Sequence, residues 1–338
     1  MLNIKAKRNK GEKVPGEDYI YASAMIRTRE THRINYDALM RMADAKDVSE
    51  ICKMLPEYSI DPIYSHVGEI DAEATVTAYL AKEFEAISKA MPQRAILDFL
   101  RVSYDCHNLK TVIKCAARGR EDCHELFIDL GTVPADKVLG AVRDEKLSIF
   151  PRNMASAYER ARKAFNESGD PKLIDSILDG ACYADMLEAT GAYRKDYFRD
   201  LVEIKIDTTN VTTAVRTLRM GDTTGLFDSM FLNGGSLSAD FFKNAMQSGE
   251  EGLFSALRST RYAVSSTLEP ISLTELGKRC EGVYMRYVDR AKSIDFGAEI
   301  CVAYLIRATY ATKMLRMLIA SKQTGTDVAR IKDCIGKF

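Results

Sequence analysis

An all-α fold is what this sequence predicts, on three observations. Long segments run without proline or glycine and carry apolar residues at helical spacing. No comparable segment alternates with the period of two that a half-buried strand requires. One polar motif also recurs at matching places in two of the long segments. With 46% hydrophobic residues in 338, the chain can bury a sizeable core.

The elements follow in order. A basic tail spans residues 1–16, with Lys5, Lys7, Arg8, Lys10 and Lys13 and no apolar stretch of the kind a secretory signal needs. The tail reads as solvated. Residues 17–338 read as one helical body. Its first helices are expected over Asp18–Arg33, Asp37–Leu55 and Asp71–Ala90. The first long helix is expected over Gln93–Arg118, with Ile96, Phe99, Leu100, Leu109, Val112, Ile113 and Ala116 on one stripe. A second is expected over Tyr193–Met220 and a third over Ile294–Lys322. Each is about 25 residues, roughly 37 Å at the helical rise. After the first long helix come Leu126-Phe127, a turn at Gly131, and Pro134-Ala135-Asp136, read as a helix start with proline at its first position. After the second come Leu226-Phe227, a positive-φ turn at Asn233-Gly234-Gly235, and a helix opened by Ser236 or Ser238. Gly325-Thr326-Asp327 opens the last short helix.

The long helices resemble one another. Tyr104-Asp105-x-x-Asn108-Leu109-Lys110 recurs 102 positions later as Ile206-Asp207-x-x-Asn210-Val211-Thr212, and the same offset places Lys114 on Arg216 and Gly119 on Gly221. An offset of 100 carries Val202, Ile206, Arg216 and Leu218 onto Val302, Ile306, Arg316 and Leu318, with Arg307 and Tyr310 replacing the Asp and Asn. Three repeats with pseudo-threefold character are therefore expected, approximately 17–150, 151–268 and 269–338, with some helices exchanged between them. Joints fall near 57–68, 150–153 and 268–272. Chance similarity among helices rich in Ala, Leu and Lys is the alternative, and gaps after each helix keep it open.

Several chemistries are argued against. Lys+Arg and Asp+Glu are 48 each, so no net charge draws the chain to nucleic acid or an anionic membrane. The most apolar stretch, Ile300–Ala320, contains Arg307, Lys313 and Arg316, too costly for a membrane span. Eight scattered cysteines read as reduced thiols. Gly221–Gly225 lacks the Lys and Ser/Thr of a phosphate-binding loop. Cys106-His107 and Cys123-His124 carry zinc-ligand types. Adjacent helical residues diverge by about 100°, so each pair reads as buried thiol beside surface imidazole. Asp105 and Asp207 could form an acid/base pair. Each precedes an Asn by three residues on the same helix face, which suits hydrogen bonding to a neighbouring helix end or loop. Cofactors and catalytic residues are therefore not expected. The cations Lys114, Arg118, Arg216, Arg219 and Arg316 close the long helices, where the dipole favours them. The functional alternative is a cationic collar around one cavity, meeting an acidic partner.

At these residues the chain resembles the C-subunit family of V-type ATPases, also known as the d or AC39-like family. The resemblance rests on Tyr104-Asp105-x-x-Asn108, Asp207-x-x-Asn210 with Arg216, Phe231-Leu232-x-Gly234-Gly235-x-Leu237, and Phe296-Gly297-x-Glu299 followed by Ala303-Tyr304-Leu305 and Arg316. It departs from the family at Ala298 and Ile300, where prolines are usual, and at Thr309 and Ala311, where acidic residues are usual. The resemblance implies a funnel of three similar helical parts, without an active site, peripheral at the cytoplasmic face of the membrane. The funnel would accept the end of the shaft built from the D and F subunits and rest on the membrane c/K ring. Reversing charge at Arg216 and Arg219 is then expected to weaken shaft binding without unfolding. The competing readings are a generic helical scaffold outside any membrane complex, and a helical enzyme using Asp105 and Asp207 on a metal.

Overall fold

A computed structural model of the chain describes residues 17–191, 193, 196–221, 225–263 and 271–336. The basic tail, positions 222–224 of the glycine-flanked run and positions 268–270 of the last joint lie outside the described residues. The described part is helical without a named strand. One isolated antiparallel bridge, Tyr64 to Ile70, pins a loop.

Fifteen α-helices are described. Before the first long helix lie α1 (Ile20–Glu30), α2 (Tyr36–Asp44), α3 (Val48–Met54) and α4 (Ala72–Ala90). The first long helix is α5 (Asp98–Ala116), followed by α6 (Ala135–Arg143), α7 (Arg152–Ser168) and α8 (Pro171–Gly191). The second is α9 (Asp196–Arg219), followed by α10 (Gly225–Met230), α11 (Ala239–Met246), α12 (Gly249–Leu257) and α13 (Leu273–Val288). The third is α14 (Ala298–Gln323), and α15 (Val328–Cys334) ends the series.

Side-chain caps decide many of these starts. Asn35, Asp47, Asp71, Ser238 and Ser272 each accept a hydrogen bond from the backbone N–H three residues on, at 2.8–3.2 Å. Asp327 accepts from Ala329 and Arg330 at the start of α15. Each cap satisfies a donor that the first helical turn leaves open.

Three expectations about local structure need correction. Asp37–Leu55 is two helices, because Asp47 caps α3 while Glu50 accepts the Lys46 N–H at 2.6 Å, so two carboxylates satisfy backbone donors at the break. Pro134 sits at the cap of α6 rather than at its first position, and Asp129 Oδ1 accepts the Ala135 N–H instead. The first long helix opens with a 3₁₀ turn, Arg94–Leu97, so regular α geometry begins at Asp98.

The long helices pack in pairs. α5 lies on α8, α9 on α13, and α14 on α4. In the first two pairs the partner helix follows in the chain, whereas α4 precedes α14 by most of the sequence. α14 is buried along most of its length, from Ala298 to Ile319, which marks it as the core helix.

Candidate functional site

The recurrent Asp-x-x-Asn motif binds the loop that follows its own helix. On α5, Asp105 Oδ2 accepts the Thr132 N–H at 2.9 Å and its hydroxyl at 2.6 Å, and Oδ1 accepts the Val133 N–H at 3.0 Å. One turn on, Asn108 exchanges two hydrogen bonds with the backbone of Ile128, at 2.9 and 3.0 Å. On α9, Asp207 Oδ2 accepts from the Ser236 N–H (2.8 Å) and hydroxyl (2.7 Å), and Oδ1 from the Leu237 N–H (3.2 Å). Asn210 exchanges two bonds with the Leu232 backbone, at 2.8 and 2.9 Å. All four side chains are fully buried. Burial pushes the Asp105 carboxyl upward, while its bonds from Thr132 and Val133 pull the other way.

Glycines make this close approach possible. A Cβ at Gly131 would stand 2.2 Å from Asp105 Oδ1, and one at Gly235 would stand 2.1 Å from Asp207 Oδ1. Gly234 additionally has φ +99°, the left-handed conformation the turn requires. Ser236 is consumed by Asp207, which leaves Ser238 to cap α11. These carboxylates are saturated by donors, so the pair fixes loops rather than a reacting group. A third carboxylate works similarly. Asp185 on α8 accepts from the Asn153 N–H, the Asn153 amide and the Met154 N–H at 2.8–2.9 Å, capping α7. Sequence reasoning missed it, since nothing near Asp185 in the chain announces its partner.

The third long helix is held differently. Arg307, at the motif's Asp position, is buried and paired with Asp289 and, at 3.5 Å, with Glu30. Tyr304 donates to Glu83 on α4 at 2.7 Å, and Arg29 on α1 reaches the same carboxylate at 2.6 Å. Gly297 N–H donates to Ser23 Oγ at 3.3 Å, and a side chain there would meet Glu299, since a Cβ falls 2.5 Å from its Oε2. Phe296 is half-buried at this junction.

The five cations at the helix ends do not share one place. Lys114, Arg118 and Arg316 line a single hollow, joined by Arg120 and faced by Glu73 and Glu125. Within it Lys114 pairs with Asp175 at 2.7 Å and Arg316 with Glu73 at 2.5 Å. Arg216 and Arg219 do not line this hollow. Arg219 is engaged by Glu250 at 2.6 Å and by the Ile271 carbonyl at 2.7 Å. Arg216 is exposed and makes no ion pair with the described residues.

The three helix pairs meet at a cavity of about 360 Å³ lined from α4, α5, α8, α9, α13 and α14. Tyr104, Tyr183, Tyr284 and Tyr310 supply aromatic walls. Burial pushes Tyr183 and Tyr310 up to about 12, so both are neutral hydroxyls at pH 7. Two ion pairs stand in the wall. Lys110 reaches Asp179 at 2.6 Å across α5 and α8, and Lys205 reaches Glu281 at 3.0 Å across α9 and α13. Lys205 also lies 4.0 Å from the centre of the Tyr284 ring, a cation–π contact. Burial disfavours the Lys110 ammonium, but Cys106, Asp179 and Asp175 outweigh it and raise its pKa. Asp179 and Glu281 are again 102 positions apart, a signal available in the sequence that the shorter motif did not reach. Lys313 of α14 faces the same cavity.

No group of three or more His, Cys, Asp or Glu side chains able to hold a metal occurs among the described residues. Cys106 and Cys123 are buried, and the neighbouring His107 and His124 are exposed. No described helix is long and apolar enough to cross a membrane.

Residues 22–334 match the family model described as ATP synthase (C/AC39) subunit. The C subunit of the V-type sodium ATPase of Enterococcus hirae is 23% identical over 94% of this chain and 97% of its own length. The C subunit of the V-type ATP synthase of Thermus thermophilus is 20% identical over 94% and 98%. The C subunit of the A-type ATP synthase of Desulfurococcus is 21% identical over 94% and 91%.

Proposed function

The chain belongs to the ATP synthase (C/AC39) subunit family, and on that premise we propose that it is the non-catalytic central-stalk subunit of a rotary V/A-type ATPase. It seats the D/F shaft on the membrane c/K ring at the cytoplasmic face and passes torque between them. The observation that carries this reading is the cavity where three helix pairs converge, walled by aromatic side chains and rimmed by cations. At about 360 Å³ it has room for one or two side chains of a partner, and its aromatic walls and lysines suit an apolar and an acidic one. Cys106 and His107 both line it, but the thiol turns to the Leu178 carbonyl at 3.5 Å and the imidazole to the Leu126 carbonyl at 3.2 Å. They do not form the hydrogen-bonded nucleophile and base that covalent catalysis needs.

Rigidity supports the same role. A torque-bearing spacer must not yield at its loops. The Asp105, Asn108, Asp207 and Asn210 bonds fasten both post-helix loops to buried helix faces. A network of that kind resists local opening, because each broken bond exposes an unpaired buried group.

The test is a pull-down of the tagged full chain from native membranes. Co-purification of the ATPase head, shaft and ring is expected, and shaft binding should weaken as salt rises. Recovery of soluble partners alone would favour the generic scaffold and sink the proposal. Arg118 and Arg316 line a separate hollow, so comparing their charge reversals with those at Arg216 and Arg219 tells which helix-end cations, if any, the shaft meets.

A further inference from the structure

The three helix pairs bring unequal charge to the cavity. The α5/α8 pair presents Lys110 already held by Asp179, and the α9/α13 pair presents Lys205 already held by Glu281. The α14/α4 pair presents Lys313, which is exposed and has no ion pair with the described residues. The cavity therefore holds three ammonium groups against two carboxylates. Its neighbours on the wall are largely apolar or aromatic: Phe84, Ile306 and Tyr104 lie nearby on α4, α14 and α5.

We infer that Lys313 is the registering contact for the shaft: it takes a carboxylate side chain at the shaft tip while an apolar neighbour of that carboxylate enters the aromatic wall. This rests on the shaft-seat reading above and adds the chemistry of the occupant. Complementarity of charge is the argument. Lys110 and Lys205 would have to surrender existing partners to receive an acidic group, whereas Lys313 has none to lose. An acidic group entering between aromatic rings also sheds water, which strengthens its attraction to the one available ammonium. Because only one of the three pairs offers an unengaged cation, the shaft enters in one angular setting rather than three.

The experiment titrates the purified full chain with the purified D/F shaft at several salt concentrations. Lys313→Ala should weaken binding about tenfold and Lys313→Glu about a hundredfold, with a shallower salt dependence, as loss of a desolvated charge pair predicts. Lys313→Arg should bind within about threefold of the original. Lys146→Glu, on an exposed lysine away from the cavity, should bind as the original does. Melting temperatures should be unchanged for the Lys313 variants, because the side chain is exposed and unpaired. If the original chain does not bind the shaft, the shaft-seat reading falls and this inference with it. Should the original bind, and Lys313→Glu bind equally well with the same salt dependence, the inference alone is overturned.

Discussion

The loops after α5 and α9 are fastened by acceptors; the segment before α14 is fastened by a cation. In the first two helices a buried Asp and Asn reach forward in the chain and bind backbone N–H groups about 20–30 residues later. In the third, the buried Arg307 reaches backward to Asp289 and to Glu30. The difference is physical as well as chemical. The loops after α5 and α9 approach Asp105 and Asp207 so closely that only glycine fits beside each carboxylate, at Gly131 and Gly235. A guanidinium facing carboxylates requires no glycine and can join segments from opposite ends of the chain. Long helices of one molecule can thus be locked by opposite charges.

The sharpest way to break this comparison is to remove an acceptor. Asp207→Ala leaves the Ser236 and Leu237 N–H groups without a partner, while the Ser236 hydroxyl keeps Tyr262, and should cost about 4 kcal/mol, read from the urea midpoint at unchanged slope. Asp105→Ala should cost a similar amount. A loss below about 1 kcal/mol at either site would show that the bonds do not secure the loops.

Arg307→Met tests the third helix. Its partners Asp289 and Glu30 are partly exposed and can be rehydrated, so the expected cost is smaller, about 2 kcal/mol. The same pair predicts an acid limb. Burial alone would raise the Asp289 carboxyl, but hydrogen bonds and charge from Lys292 and Arg307 bring it below its ordinary value. A lowered folded pKa means stability that is complete above about pH 4 and is lost as pH falls through the folded value. Asp289→Asn should lower stability at pH 7 and flatten this limb. An unchanged limb in the variant would assign the acid sensitivity to other carboxylates.

The smallest effect is expected at the helix ends. Arg219→Ala loses a two-point contact with Glu250 near the surface and should cost at most about 1 kcal/mol, while Arg216→Ala should change stability by less than about 0.5 kcal/mol. Thermal melts of the two variants side by side decide whether surface pairing or only dipole placement operates there.

Much of the fold was legible because it is local. Periodicity located α5, α9 and α14, and the capping residues Asp71, Ser238 and Asp327 sit where the sequence offers a side-chain acceptor before an apolar run. The three-residue spacing of Asp105 and Asn108 was enough to place both on one face. What escaped was the partner of each. On α8 and α13 only the offset of Asp179 and Glu281 carries a signal, and the pairings that complete the cavity wall, Lys110 with Asp179 and Lys205 with Glu281, depend on packing over about 70 residues of chain. The split between α2 and α3 was readable in Asp47 and Glu50, yet a continuous apolar period across residues 37–55 concealed it.

The pairing of α4 with α14 has a consequence for synthesis. α4 leaves the ribosome early, but the helix that covers it is made roughly 200 residues later, a delay of about 10–40 s at ordinary elongation rates. Throughout that interval α4, which buries Val76, Leu80 and Ile87 in the finished molecule, lacks the helix it packs against most. The nascent chain therefore carries an adhesive flank until its final helices emerge, and premature termination before Ala298 should yield an aggregating fragment rather than a smaller soluble one.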